Sequence, residues 1–106
     1  MIRILCVGKI REAHYKSAAA EYEKRLSRYT KLEILEVLEE KAPETLSAAL
    51  REQVKRQESA RLMEKTGEGD FLVALTPGGV SLSSEAFAQK LAGWQDAGKI
   101  KLAFFI

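Results

Sequence analysis

The chain offers one cysteine, Cys6, and one histidine, His14, among its 106 residues. In principle the two could act as nucleophile and general base. Cys6, however, sits inside the apolar run IRILCVG, and His14 falls where a helical pattern opens. The thiol is therefore read as core and the imidazole as a helix-start residue. One of each also falls short of the donors a metal site needs, so no metal is expected. Glu39 and Glu40 form an adjacent carboxylate pair in an acidic loop, with nothing in the sequence to raise either acid, and they read as a solvated turn. Thr76-Pro77-Gly78-Gly79 is the first ligand candidate. Its proline withholds a backbone donor, and its paired glycines let a ligand approach the main chain closely. Neither G-x-G-x-x-G nor G-x-x-x-x-G-K-S/T occurs, so no nucleotide-phosphate fingerprint is present.

Charge adds a second kind of candidate. Residues 1–31 carry eight basic groups against three acids, whereas residues 32–44 carry five acids and only Lys41. The net charge of +2 neither demands nor forbids a nucleic-acid partner, but the basic first third could meet phosphates.

These groups must be positioned by a small set of elements. Ile2 to Gly8 reads as a buried strand ending in glycine. Tyr15, Ala18, Ala19, Tyr22, Leu26 and Tyr29 then form one apolar stripe at helical spacing. Leu32 to Leu38 is bracketed at strand length. Pro43 suits the opening of a long helix, with Thr45 or Ser47 as cap and Leu46, Ala49, Leu50 and Val54 on one side, ended by Gly67 and Gly69. Phe71 to Leu75 reads as the clearest buried strand. Ser83 and Ser84 offer caps for a helix whose inner face is Phe87, Ala88, Leu91 and Trp94, and which Gly98 stops. Lys101 to Ile106 is a last apolar strand.

The order β-α-β-α-β-α-β predicts a mostly parallel sheet in a single α/β domain over residues 1–106, with right-handed crossovers. Ligands of such sheets sit beyond the carboxyl ends of the strands, here Gly8-Lys9, Glu39 onward, Leu75 to Gly79, and Ile106. Lys9 and Arg11 lie on that side and are the best-placed cations. No apolar stretch approaches the ~20 residues that span a bilayer, and Arg3 interrupts the only signal-like start. The expectation is a soluble cytoplasmic protein with its thiol reduced.

The blocks VGKIRE at 7–12, Tyr15, AEYEKRLSRYTKLEILEV at 20–37, EKAPE at 40–44 and LTPGG…LSSEAFAQKL at 75–91 occur in one order. Together they resemble the small SPOUT-class methyltransferases, the ribosomal large-subunit pseudouridine N3-methyltransferases. The resemblance implies a trefoil-knot α/β fold, a cytoplasmic homodimer, and methyl transfer from S-adenosylmethionine to a pseudouridine of 23S rRNA. It implies that the cofactor is held by backbone groups of three loops, the first of which matches Leu75 and its neighbours Thr76, Pro77, Gly78 and Gly79. Lys9 and Arg11 become the expected RNA contacts. The match stops at Ile106, where the family's glycine-rich loop would begin. The sequence thus predicts a chain with no catalytic residue to carry over, an incomplete knot and cofactor site, no activity alone, and uncovered KLAFFI and FLVAL strands. A non-catalytic dimerising or ribosome-binding module is the alternative, and a flavodoxin-like domain a third reading that no phosphate loop supports.

Overall fold

Short apolar runs alternating with helical periods give seven elements in the computed structural model, which describes residues 1–40 and 47–106. They are β1 (Ile2–Val7), α1 (Ala13–Leu26), β2 (Leu32–Val37), α2 (Ala48–Glu64), β3 (Phe71–Ala74), α3 (Ser84–Asp96) and β4 (Leu102–Phe105). The sheet is parallel throughout, in the order β2-β1-β4-β3. Its register sets Ile4 beside Ile34 and Phe104, and Leu5 beside Leu35 and Phe105.

Side chains alternate along a strand, so one face carries Ile4, Ile34, Phe71, Val73 and Phe104 and the other Arg3, Leu5, Val37, Leu72 and Ala103. The steps β1→β2 and β3→β4 run in one direction across the sheet, and β2→β3 runs back. Right-handed crossovers therefore put α1 and α3 on the first face and α2 on the second. Phe87 and Trp94 of α3 meet Phe104 and Phe71 with ring centroids 6.0 and 5.1 Å apart. The buried core is Leu5, Val37, Leu102, Ala103 and Phe104.

On the second face Arg3 of β1 and Asp70, just before β3, lie on either side of β4. The intervening residue in register is Ala103, small enough for the arginine to cross. Arg3 Nη1 reaches Asp70 Oδ2 at 3.0 Å, Arg3 Nε lies 3.5 Å from Glu33 Oε2, and the Asp70 carboxylate also accepts from the Gly67 N–H at 2.7 Å.

Several expectations change here. Phe71 to Leu75 is an edge strand ending at Ala74, with Leu72 and Ala74 exposed and only the α3-facing Phe71 and Val73 half-buried. β4, expected to lack cover, is the most buried strand, because it runs between β1 and β3 beneath Phe87. No residue of α1 is buried, and Tyr15, Tyr22 and Tyr29 of the apolar stripe stand exposed, whereas Ala19 is half-buried. Ser47 caps α2 by accepting from the Leu50 N–H at 3.2 Å, while Pro43, Thr45 and Leu46 lie outside the described residues. Ser83 caps α3 by accepting from the Ala86 N–H at 3.1 Å. Gly98 ends that helix at a φ of +83°, which costs an L-residue strain. No helix among the described residues is long and apolar enough to cross a membrane.

Candidate functional site

The carboxyl ends of β1 and β2 are tied together. Gly8 leaves β1 at a φ of +80°, and its N–H extends the ladder to the Val37 carbonyl at 2.8 Å. That turn releases Lys9, Ile10 and Arg11 as an exposed loop ahead of α1. From the far side, Arg11 Nη2 meets Glu39 Oε1 at 2.9 Å. The segment 38–40 is held in turn by α2. Arg61 donates to the Leu38 carbonyl at 2.9 Å and to the Glu40 carboxylate, and the Glu40 N–H donates to Glu58 at 3.1 Å.

Lys9, Arg11, Lys16, Glu36 and Glu39 rim a hollow of about 460 Å³ floored by Val37. A second hollow of about 330 Å³ shares Lys9, Lys16 and Glu36 and continues along α1 to Ala20 and Glu23. Sequence reasoning found Lys9 and Arg11 but missed Lys16, which reaches the same rim from the first turn of α1. Glu39 and Glu40, which read as a solvated turn in the sequence, each have an arginine partner in the fold. The arginines come from the loop after β1 and from α2, 28 and 21 residues away, which adjacent residues cannot reveal. A roomier hollow of about 860 Å³ opens at the other end of the sheet, between Ser27 and Leu32, away from the carboxyl ends.

Leu75 to Gly79 leave β3 on the same side as Lys9, two strand spacings from β1, or about 10 Å. The Leu75 N–H is spent on the Phe105 carbonyl at 2.8 Å, and the turn closes by Gly79 N–H to Thr76 O at 3.1 Å. A Cβ on Gly79 would come within 3.3 Å of Thr76 O and Oγ1, whereas one on Gly78 would meet open space. The Thr76 and Gly78 N–H groups have no acceptor among the described residues, and all five residues are exposed. The arrangement fits one side of a ligand gripped through backbone groups; it does not enclose one. Pro77 adds rigidity without a donor.

The thiol of Cys6 lies on β1, half-buried, 3.7 Å from the Leu35 carbonyl. Burial pushes its pKa up, and the nearby Glu36 charge pushes it further. That favours an unreactive thiol. His14 instead stacks on Tyr15 with centroids 4.2 Å apart, exposed on α1. Among the described residues no three His, Cys, Asp or Glu side chains gather as a metal would need.

The family described as "Predicted SPOUT methyltransferase" matches residues 1–106. The chain is 42% identical over 105 residues to the ribosomal RNA large subunit methyltransferase H of Lactobacillus delbrueckii subsp. bulgaricus, covering 99% of this chain and 66% of the relative. It is 46% identical over 105 residues to the protein of that name from Acetivibrio thermocellus, with the same two coverages, 99% and 66%. It is 47% identical over 90 residues to that of Lactiplantibacillus plantarum, covering 85% and 57%. The chain thus spans just under two thirds of the length of the first two relatives.

Proposed function

The chain belongs to the SPOUT methyltransferase family, and from that premise we propose that it serves methylation of N3 of a pseudouridine in 23S ribosomal RNA, with S-adenosylmethionine as donor. The observation that carries this reading is the 42–47% identity to ribosomal RNA large subunit methyltransferases. Lys9, Arg11 and Lys16 face the RNA phosphates, and Leu75, Thr76, Pro77, Gly78 and Gly79 form one wall of the donor site. A cytoplasmic homodimer working on the ribosome completes the proposal.

The donor supplies an already activated sulfonium methyl, so the protein's task is to hold two partners in line and keep water away. The residues of this chain contribute to the positioning half of that task. The open Thr76 and Gly78 N–H groups would donate to acceptors on the ligand, and the exposed Leu75 side chain would pack on an apolar part of it. Cations two strand spacings away would fix the RNA by its phosphates, which orients without reading sequence.

The gene product, recovered from its own cells through an affinity tag, is incubated with methyl-labelled S-adenosylmethionine and unmodified ribosomes. Label recovered as N3-methylpseudouridine from 23S rRNA is the expected result. Ribosome binding without label would favour the non-catalytic module, and neither binding nor label would overturn both. Titration of the 106 residues alone is expected to show no micromolar cofactor binding, since a single exposed turn supplies the contacts.

A further inference from the structure

Glu39 is held from both sides. Its neighbours Leu38 and Glu40 are fastened to α2 by Arg61 and Glu58, so its carboxylate projects from an anchored loop towards Arg11. Arg11, by contrast, rises from the irregular segment between β1 and α1. The other cations of the same rim, Lys9 and Lys16, have no ion-pair partner among the described residues. Of the three, Arg11 alone meets RNA already occupied.

We propose that Glu39 is a positioning residue that mimics a phosphate, parking the Arg11 guanidinium over the mouth between β1 and β2 until an RNA phosphate takes its place. This rests on the reading that RNA docks at this end of the sheet. Glu39 meets Arg11 through one charged oxygen, Oε1 on Nη2, an acceptor that a phosphate oxygen can replace. The two side chains are 81% and 58% exposed, so the pair is weak enough to exchange. Anchoring of residues 38–40 keeps the decoy in register while it waits. The thermodynamic signature follows from what is displaced. Phosphates arriving at Lys9 or Lys16 shed their condensed counterions, whereas one arriving at Arg11 sheds its own but frees the Glu39 carboxylate beside the RNA to take up a cation, so that step adds little to the salt dependence.

The test is a double-mutant cycle on the labelled gene product, read by fluorescence anisotropy on titration with unmodified ribosomes. Glu39→Gln is expected to tighten binding about two- to five-fold at low salt, the scale of an exposed pair. It should also steepen the log affinity against log salt slope by about 0.7–0.9, one extra counterion. In the Arg11→Gln background Glu39→Gln should change neither quantity. If it tightens binding equally with and without Arg11, Glu39 is only diffuse negative charge and the proposal is overturned. If Arg11→Gln weakens binding but Glu39→Gln alone does nothing, the mimic fails and the RNA reading stands. If neither Arg11→Gln nor Lys9→Gln alters binding, the docking of RNA at this end fails, and the mimic with it.

Discussion

Replacing Asp70 by alanine removes a carboxylate that ties β1 to the entry of β3 across the intervening strand. Its side chain is 2% exposed and accepts from Arg3 Nη1 at 3.0 Å and from the Gly67 N–H at 2.7 Å. Hydrogen bonds to a charged group contribute about 1.5–3 kcal/mol each, which bounds the loss at roughly 3–6. The loss falls at or somewhat below the bottom of that range, because Arg3 is 23% exposed and can turn to water, and Gly67 is exposed and can be hydrated. The expected loss is about 2–3 kcal/mol, a sizeable share of the ~5–15 kcal/mol typical of a domain. With a urea slope of about 1.5 kcal/mol per molar, the midpoint should fall by about 1.3–2 M. Circular dichroism at increasing urea reads the shift directly. Arg3→Met should soften the effect, since removing both partners leaves no charge stranded under β4's neighbours. A loss below about 1 kcal/mol, or equal losses with and without Arg3, would refute the idea that this pair clasps the sheet.

Other perturbations reach separate parts of the chain. Gly8→Ala forces a Cβ into a left-handed backbone that is not crowded, so about 1–2 kcal/mol should be lost to conformation alone, seen as a lower thermal midpoint. Arg61→Met should free the loop after β2, raising amide exchange at Glu40 at least about tenfold while the β4 amides stay protected. The Cys6 thiol, its pKa raised by burial, should alkylate more slowly than a free thiol through the alkaline range. The sign for stability is negative with pH: the unfolded chain releases the thiol proton first, so Cys6 costs stability above the ordinary thiol pKa and Cys6→Ala should flatten that loss.

Much of the scaffold could be read from the residues in order. The alternation of apolar runs, the Ser83 cap and the Gly98 stop lie within a few residues of what they control, and each appears where its local chemistry requires. Ser47 and Ser83 are each one of two neighbouring cap candidates, Thr45 or Ser47 and Ser83 or Ser84, between which the sequence does not choose. What could not be read depends on which strands become neighbours. Phe71 to Ala74 has the composition of a central strand but receives only β4 beside it, so half its side chains face outward. Tyr15, Tyr22 and Tyr29 recur every seven residues as a core stripe would, yet the half-buried positions on α1 fall to Ala19 instead. The candidate site divides in the same way. Lys9, Arg11 and the turn after β3 follow from their position behind strands, whereas Lys16, Glu39 and Arg61 enter through contacts made by distant elements.

The middle of the sheet joins β1 to β4, with Ile2 beside Leu102 and the Ile106 N–H on the Leu5 carbonyl. Partners about a hundred positions apart must find each other before either inner strand is flanked on both sides. During synthesis, β1 emerges first and waits while the three helices and two outer strands are made, at about 5–20 residues per second. A nascent chain halted within α3 would therefore carry an unsealed seam, closed only once β4 has left the ribosome.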